Sequence, residues 1–124
     1  MKTWQAGREK SLLEDIKGGT KTVEGRLYRD KFAEYKVGDQ VSLRADTYDA
    51  DGTLLKEEPN QALVEITKIE RFATFADMLS QIGYQKVVPR AESVEQAIAE
   101  YAKYYSPMDE DKYGVVAVHV RMIS

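Results

Sequence analysis

The 124 residues are enough for one domain with a single hydrophobic core and too few for two. The charged fraction of 31% and the hydrophobic fraction of 43% are ordinary for a soluble globular protein. The absence of cysteine excludes disulfide frameworks and thiolate metal sites and fits a cytoplasmic location. The longest apolar run, Val115–Val118, is far shorter than the roughly 20 residues of a membrane span, and the charged N-terminus does not resemble a signal peptide.

The charge distribution is more informative than the net charge of −3, which argues against a general nucleic-acid coat protein. Between Lys17 and Lys36 there are six basic and three acidic residues, so this segment carries +3 and the remainder −6. Such a segment could attract an anionic or electron-rich ligand, or it could be a solvated basic edge strand. Both interpretations stay open at this point.

The first predicted elements are a helix, a turn and a strand. A partial apolar stripe predicts a helix over residues 5–17 that ends at Gly18 and Gly19. Alternation then predicts a strand over residues 22–29, with one core face and one polar face. Trp4, which precedes the helix, is interpreted as a packing residue.

Two further strands are predicted over residues 41–46 and 62–66, joined through a hairpin whose tip is Asp51-Gly52. Ile69 breaks the alternation of the second strand, so we expect a bulge near Thr67-Lys68.

The hairpin also overlaps a calcium-loop pattern. Four residues fall on its third, fifth, sixth and twelfth positions: Asp49, Asp51, Gly52 and Glu58. Thr47 occupies the first position, where a carboxylate is needed, and the flanks alternate as strands do. The pattern therefore favours an acidic hairpin over a calcium site.

The C-terminal half is predicted to contain two helices and a last strand. The first helix covers residues 75–82 and ends at Gly83, and the second begins at Ser93, a residue type that caps helix N-termini. The strand covers residues 113–123, with its even-numbered apolar residues facing the core. His119 lies on the opposite face and is interpreted as a hydrogen-bonded structural residue.

The turn after the first helix carries the most distinctive pattern. It resembles the signature of the ASCH family, Gly-x-Lys-x-x-Glu-x-Arg, filled here by Gly19, Lys21, Glu24 and Arg26. Other segments are similar to family blocks in the same order, namely 35–39, 66–75, 104–106 and 113–117. The resemblance implies one domain over residues 1–124 with an α+β, PUA-like fold, a small mixed β-barrel with about three helices packed around it.

The resemblance also implies a function, because the family was proposed to act in RNA binding. The first hypothesis is an RNA- or nucleotide-binding domain with a ligand cleft at Lys21, Glu24 and Arg26, next to Gly19. A carboxylate between two cations stays ionised and can accept from an exocyclic amine, while the cations donate to phosphate or carbonyl oxygen. Without the resemblance, the same residues would be interpreted as a surface charge ladder, each pair contributing about 0–1 kcal/mol. Lys21 shares the alternation of Val23 on the core face of the predicted strand, so its side chain can reach Glu24 and Arg26 only from the turn.

Aromatic residues extend this hypothesis. Tyr28, Tyr35, Tyr104 and Tyr113 are candidates for stacking on an unpaired base. The alternative is that these tyrosines belong to the core and its rim, with their hydroxyl groups bonded to the backbone.

The second hypothesis is an amidohydrolase, since some family members deacylate N4-acylcytidines. Lys21 matches the lysine of that branch, but Glu24 stands at the position of its nucleophilic threonine, and Thr22 cannot replace it. The catalytic residues would then be Lys21 as base and Glu24 as the group that orients water. The distant glutamate of that branch has no match here, and Glu92 and Glu110 are the nearest candidates.

A metal-dependent nuclease is disfavoured. The chain has one histidine and no cysteine, and it lacks a compact carboxylate cluster outside the hairpin. We therefore expect no metal and no cofactor. The expected partner is RNA or a nucleotide or nucleoside ligand, and not a membrane.

Overall fold

A computed structural model describes residues 1–124, which form a mixed α+β domain. The strands are β1 (Thr3–Glu9), β2 (Val23–Leu27), β3 (Gln40–Tyr48), β4 (Leu54–Phe72) and β5 (Val115–Met122). The helices are α1 (Lys10–Lys17), α2 (Lys31–Glu34), α3 (Phe75–Ile82), α4 (Tyr84–Val87), α5 (Val94–Ala102) and α6 (Pro107–Tyr113). Three of these, α1, α3 and α5, have eight or nine residues, and the other three are shorter. None of the helices has the length and apolar character needed to span a membrane.

The strands form one curled sheet in the order β1-β3-β4-β5-β2. β1 runs parallel to β3, and all other neighbouring pairs are antiparallel. The order leaves β1 and β2 as the two edges of the sheet. The predicted α+β architecture with a barrel-like sheet is thus confirmed.

The helix predicted over residues 5–17 was wrong in its first half. These residues belong to β1, where Ala6 is buried and pairs with Leu43 of β3. The helix begins only after Glu9, whose carboxylate accepts from the Ser11 backbone amide. Ala6 would be on a buried face both in a short strand and in the first turn of a helix. The apolar spacing of residues 5–9 therefore could not distinguish a strand from a helix.

Both faces of the sheet are buried, against the expectation of one core. The first core lies between the sheet and α1 and includes Ala6, Leu13, Ile16, Leu43, Ile66, Val116 and Val118. The second core lies on the opposite face, under α3, α4 and α5, and includes Val23, Leu27, Phe75, Met78, Leu79, Val115 and Ala117. Four consecutive residues, Val115–Val118, are therefore buried in β5, where alternation predicted only every second one.

The predicted bulge in β4 is confirmed. The pairing of β4 with β5 shifts between Ile66 and Lys68. Because one extra residue reverses the alternation, Ile69 still packs against the first core. The hairpin tip and the end of α3 were also predicted correctly, and Gly83 adopts a φ of +102° there.

Two single residues behave as predicted. Trp4 packs against Tyr35 with ring centroids 5.2 Å apart, and its indole nitrogen donates to Asp39. The Nε2 of His119 lies 2.7 Å from a carboxylate oxygen of Glu70 on the surface of the sheet. His119 is therefore hydrogen-bonded and part of the sheet surface.

Candidate ligand-binding site

Four charged side chains meet at the seam between the two edge strands. Glu24 is at the centre, with its Oε1 2.6 Å from Arg8 Nε. Its Oε2 lies 3.1 Å from Arg26 Nη1 and 3.8 Å from Lys21 Nζ. Arg8, Lys21 and Glu24 are each less than a tenth exposed, and the Arg26 side chain is 23% exposed. We call these four residues the charged cluster.

Three local structures bring the charged cluster together. Glu24 and Arg26 project from the same face of β2, two residues apart, while Arg8 projects from β1. Lys21 reaches them from the turn before β2. Its position shares the alternation of the core face of the strand, so only the turn could direct its side chain towards Glu24. This turn begins where Gly19 adopts a φ of +81° after α1, and the Lys21 backbone amide then donates to the Asp15 carbonyl.

The Lys21 ammonium is fixed by backbone acceptors. It donates to the carbonyls of Val23 at 3.0 Å and Val87 at the end of α4. Burial lowers the pKa of Lys21 to about 8, although the nearby Glu24 carboxylate partly opposes this shift. The lysine is therefore a cation at neutral pH whose proton is held more weakly than usual.

Glu24 and Arg26 are held in their ionised forms. Burial by itself would raise the pKa of Glu24, but Arg8, Lys21 and Arg26 outweigh it and hold that pKa well below its usual range. Burial would likewise lower the pKa of Arg26, but Glu24 outweighs it and raises that pKa. A carboxylate in this setting does not take up a proton at neutral pH and cannot serve as a general acid.

The charged cluster borders a pocket of about 330 Å³ between α1, β2 and α5. Lys21, Glu24 and Arg26 supply its charged side. The remaining lining is mostly apolar and aromatic and consists of Leu12, Val87, Val88, Glu100, Tyr101, Tyr104 and Tyr105. A concave site with an apolar wall and a few convergent polar groups is typical of small-molecule binding sites.

Two of the three tyrosines that line the pocket pack against Phe75. The Phe75 ring stacks on Tyr101 and Tyr105 with centroid distances of 4.5 and 4.8 Å. The Tyr101 hydroxyl donates to the Gly25 carbonyl, and burial raises its pKa. Tyr104 is 77% exposed and makes no such stack, so its ring is open to solvent at the edge of the pocket.

Known proteins share this sequence pattern and this fold. The family model of the ASCH domain matches residues 9–124. The chain belongs to the ASCH domain family. Several solved structures resemble it over nearly its whole length, and no curated protein matches it significantly.

The first of these structures is hypothetical protein PH0355, with 30% identity, a TM-score of 0.80 and coverage of 99% of this chain and 100% of the other. The second is protein PF0455 from Pyrococcus furiosus, with 31% identity, a TM-score of 0.76 and 98% coverage of both chains. A third is a mutant of the ZmASCH protein from Zymomonas mobilis, with 16% identity, a TM-score of 0.58 and coverage of 98% of this chain and 70% of the other. The last shows similarity of fold alone.

The structure brings together part of the ligand-binding residue set predicted from the sequence. Lys21, Glu24, Arg26 and Tyr104 all line the pocket. Gly19 shapes the turn and lies outside the pocket lining. The other two tyrosines of the set, together with Tyr113, lie elsewhere.

Those tyrosines have other neighbours. Tyr35 is buried in the first core between Trp4 and Phe32. Its location explains why it does not line the pocket. Tyr28 lies under the guanidinium group of Arg71, with 3.3 Å between Cζ and the ring centroid.

Sequence reasoning missed three residues of the candidate site. Arg8 was hidden by the helix prediction, although its alternation with Ala6 along β1 would have placed it next to the core. Tyr101 and Tyr105 were both assigned to the apolar stripe of the helix after Ser93, but α5 ends at Ala102 and Tyr105 follows it. Both pack against the second core as predicted, and both also border the pocket. An apolar stripe alone does not show which of its members border a cavity.

The candidates for a distant catalytic glutamate are outside the pocket. Glu110 accepts from the Phe75 backbone amide at the start of α3, and Glu92 lies before α5. Besides Glu24, the carboxylate that lines the pocket is Glu100, which pairs with Lys103 at the surface. No group of three or more His, Asp or Glu side chains is arranged to hold a metal ion.

Proposed function

We propose that this ASCH domain binds a nucleotide, either free or as an unpaired base of RNA, in the pocket beside the charged cluster. The observation that carries the proposal is an excess of buried positive charge at one side of a pocket whose other side is aromatic. Such a pocket offers donors to phosphate or carbonyl oxygen and a flat surface to a base.

The charge imbalance supports an electron-rich ligand. Glu24 neutralises one of three cations, so the charged cluster carries about +2 when Lys21 is protonated. Uncompensated buried charge is costly in a low-dielectric interior. A ligand that brings phosphate or carbonyl oxygen next to Arg26 and Lys21 reduces that cost.

Arg26 is the residue best prepared for ligand contact. Its Nη1 donates to the Gly25 carbonyl and pairs with Glu24, while its Nε and Nη2 make no hydrogen bond within the protein. Both oxygens of Glu24 are already paired with cations. We therefore infer that Glu24 mainly orients Arg26 and accepts from a ligand amine only through its remaining lone pairs.

The size and lining of the pocket favour a single nucleoside unit. The volume of about 330 Å³ is at the low end of the range of small-molecule sites. Tyr104 and Tyr105 present the ring surfaces on which a base can stack, a contact that contributes about 1–3 kcal/mol per base.

The test is a calorimetric titration with cytidine, cytidine monophosphate and the other mononucleotides. We expect binding by the wild type and a loss of at least tenfold in affinity for Arg26→Ala. Arg121→Ala is the matched control, since Arg121 pairs with Glu65 on the surface and lies outside the pocket lining. Absence of binding by the wild type, or equal losses in both variants, would overturn the proposal.

A second candidate function is hydrolysis of an N4-acylcytidine, and the lowered pKa of Lys21 favours it. In this reaction the neutral amine takes a proton from water, the water oxygen adds to the acyl carbon, and the bond from that carbon to N4 breaks. The proton passes to N4, which leaves cytidine and a carboxylic acid as products. The depressed pKa makes a neutral amine available near pH 8.

The hydrolase hypothesis has a direct test. Purified protein is incubated with N4-acetylcytidine, and cytidine is followed by chromatography, with Lys21→Ala in parallel to exclude a contaminating hydrolase. Turnover by the wild type alone would establish an enzyme despite the glutamate at the threonine position. Binding without turnover by the wild type would leave the binding function as the whole activity.

A further inference from the structure

A second group of aromatic and basic residues lies where the ends of β2 and β4 meet α6. It consists of Tyr28, Arg29, Arg71, Lys112 and Tyr113, and we call it the cation–tyrosine surface. Arg71 Cζ lies 3.3 Å from the ring centroid of Tyr28. Arg29 Cζ and Lys112 Nζ lie 5.2 and 5.1 Å from the ring centroid of Tyr113.

Backbone pairing makes this surface continuous. The Tyr28 amide donates to the carbonyl of Gly114, the residue that follows Tyr113. The guanidinium group of Arg71 also borders Gly114, because a Cβ added at this glycine would meet Arg71 Nη2 at 3.3 Å. The three chain segments therefore place the two ring–cation stacks side by side.

The cations of this surface are largely free of carboxylates. Arg71 and Lys112 form no ion pair and donate no side-chain hydrogen bond. Arg29 has only a long contact of 3.8 Å with the exposed Asp30. Several other exposed cations on this acidic chain have a nearby carboxylate, among them Arg44, Arg90, Lys103 and Arg121.

Stacking prepares these cations to bind phosphate. An arginine that rests on a ring uses its face for the stack and keeps the N–H groups along its edge for an oxyanion. The ring also restricts the side chain before any ligand arrives, so less conformational entropy is lost on binding.

The surface is a neighbour of the pocket. Arg26, which lines the pocket, lies near the end of β2, and Tyr28 follows two residues later, directly after the strand. Two residues of extended chain correspond to about 7 Å. A polynucleotide whose base lies in the pocket could therefore continue over the cation–tyrosine surface.

We propose that the cation–tyrosine surface binds the phosphate backbone of single-stranded RNA whose base occupies the pocket. The part of this proposal that places a base in the pocket rests on the proposed function. The part that places phosphates on the surface rests on the stacked cations, which have no close carboxylate partner. It distinguishes a polynucleotide ligand, which reaches both sites, from a mononucleotide, which reaches the pocket alone.

The test uses fluorescence anisotropy with a labelled single-stranded RNA of about ten nucleotides, within the range that small single-strand-binding domains cover. The variant is Arg71→Ala/Lys112→Ala. Its matched control is Lys10→Ala/Lys56→Ala, which removes the same charge at exposed positions outside both sites. Thermal unfolding of each variant shows whether the fold is kept, and Arg29→Ala provides a second variant of the surface.

The expected result is a loss of at least tenfold in RNA affinity for Arg71→Ala/Lys112→Ala and a smaller one for Arg29→Ala. The slope of log K against log salt is negative, and it should become less steep by about 1.4 in the double variant, since each phosphate contact on a single strand contributes about −0.7. The control variant should keep the wild-type slope. Equal losses in the variant and its control, or no RNA binding by the wild type, would overturn the proposal.

Mononucleotide titrations separate this proposal from the one before it. Arg71→Ala/Lys112→Ala should bind a mononucleotide as the wild type does, because none of its changes is in the pocket. If the wild type binds mononucleotides but not RNA, the pocket function stands and the surface proposal fails. If it binds RNA through the surface but no mononucleotide, the pocket function fails and the phosphate-binding half stands.

Discussion

The Nε of Arg8 lies 2.6 Å from the Oε1 of Glu24, and this contact joins the two edge strands of the sheet. Glu24 lies within residues 9–124, the segment that the family model matches, whereas Arg8 precedes that segment. The carboxylate at the centre of the site therefore has its closest partner outside the matched segment.

Replacing Arg8 with methionine should destabilise the protein by about 3 kcal/mol, the lower end of the cost of breaking a buried ion pair. The lower end applies because Arg26 and Lys21 still face Glu24. Urea unfolding measures the effect. Arg121→Met, which breaks an exposed pair with Glu65, should cost only about 0–1 kcal/mol. Equal losses in the two variants would show that the Arg8 contact is no stronger than a surface pair.

Replacing Arg26 with alanine should affect binding more than folding. Its side chain is 23% exposed and Glu24 keeps Arg8 as a partner, so we expect a loss of about 1–2 kcal/mol in the free energy of unfolding. The nucleotide affinity should fall at least tenfold, as measured by calorimetry. A large loss of thermal stability with unchanged affinity of the remaining folded protein would assign Arg26 a structural role instead.

Lys21 should make stability rise with pH on the alkaline side. Its pKa is about 8 in the folded protein and 10.5 in the unfolded chain, so between these values the unfolded chain binds the proton that the folded protein has lost. The free energy of unfolding therefore increases across this window, by on the order of 3 kcal/mol from this group. Urea unfolding between about pH 7 and 11 measures the rise, which Lys21→Met should lack. Parallel curves for both proteins would contradict the lowered pKa.

Gly25 should not tolerate a larger side chain. A Cβ at this position would lie 2.6 Å from Met78 Cε and 2.8 Å from the Tyr101 hydroxyl. The methionine end can move, but Tyr101 is held by its stack on Phe75. Gly25→Ala should therefore cost about 1–3 kcal/mol in the free energy of unfolding, as overpacking does.

Gly18 offers the matched control for that change. Its φ of −80° suits any residue, and an added Cβ would meet only the Glu14 carbonyl at 3.3 Å. Gly18→Ala should leave thermal unfolding nearly unchanged. If Gly25→Ala also leaves it unchanged, α5 does not pack against β2 as closely as the structure shows.

The centre of the site could be predicted from the sequence because it depends on local geometry. A helix end, a turn and a strand follow one another within Gly19–Arg26, so strand parity places Glu24 and Arg26 on one face and the turn allows Lys21 to reach them. The family resemblance, and not the parity, predicted a cleft there. The β4 bulge was predictable for the same reason, since Ile69 breaks the alternation within a few residues.

The rest of the site depends on contacts between distant parts of the chain. Arg8 reaches Glu24 only because β1 pairs in parallel with β3, a pairing that no local pattern in residues 3–9 indicates. The pocket wall arises because α5 packs on the second face of the sheet, next to Gly25. Apolar spacing predicted the helix but could not show that Tyr101 and Tyr105 would border a cavity.

The seam between β1 and β2 contains no backbone hydrogen bond and is bridged by the Arg8–Glu24 ion pair. A side-chain ion pair therefore closes the sheet at this line, whereas a backbone ladder joins every other neighbouring pair of strands. The same Glu24 carboxylate pairs with Arg26 at the edge of the pocket. One carboxylate thus serves both the closure of the sheet and the charged side of the pocket.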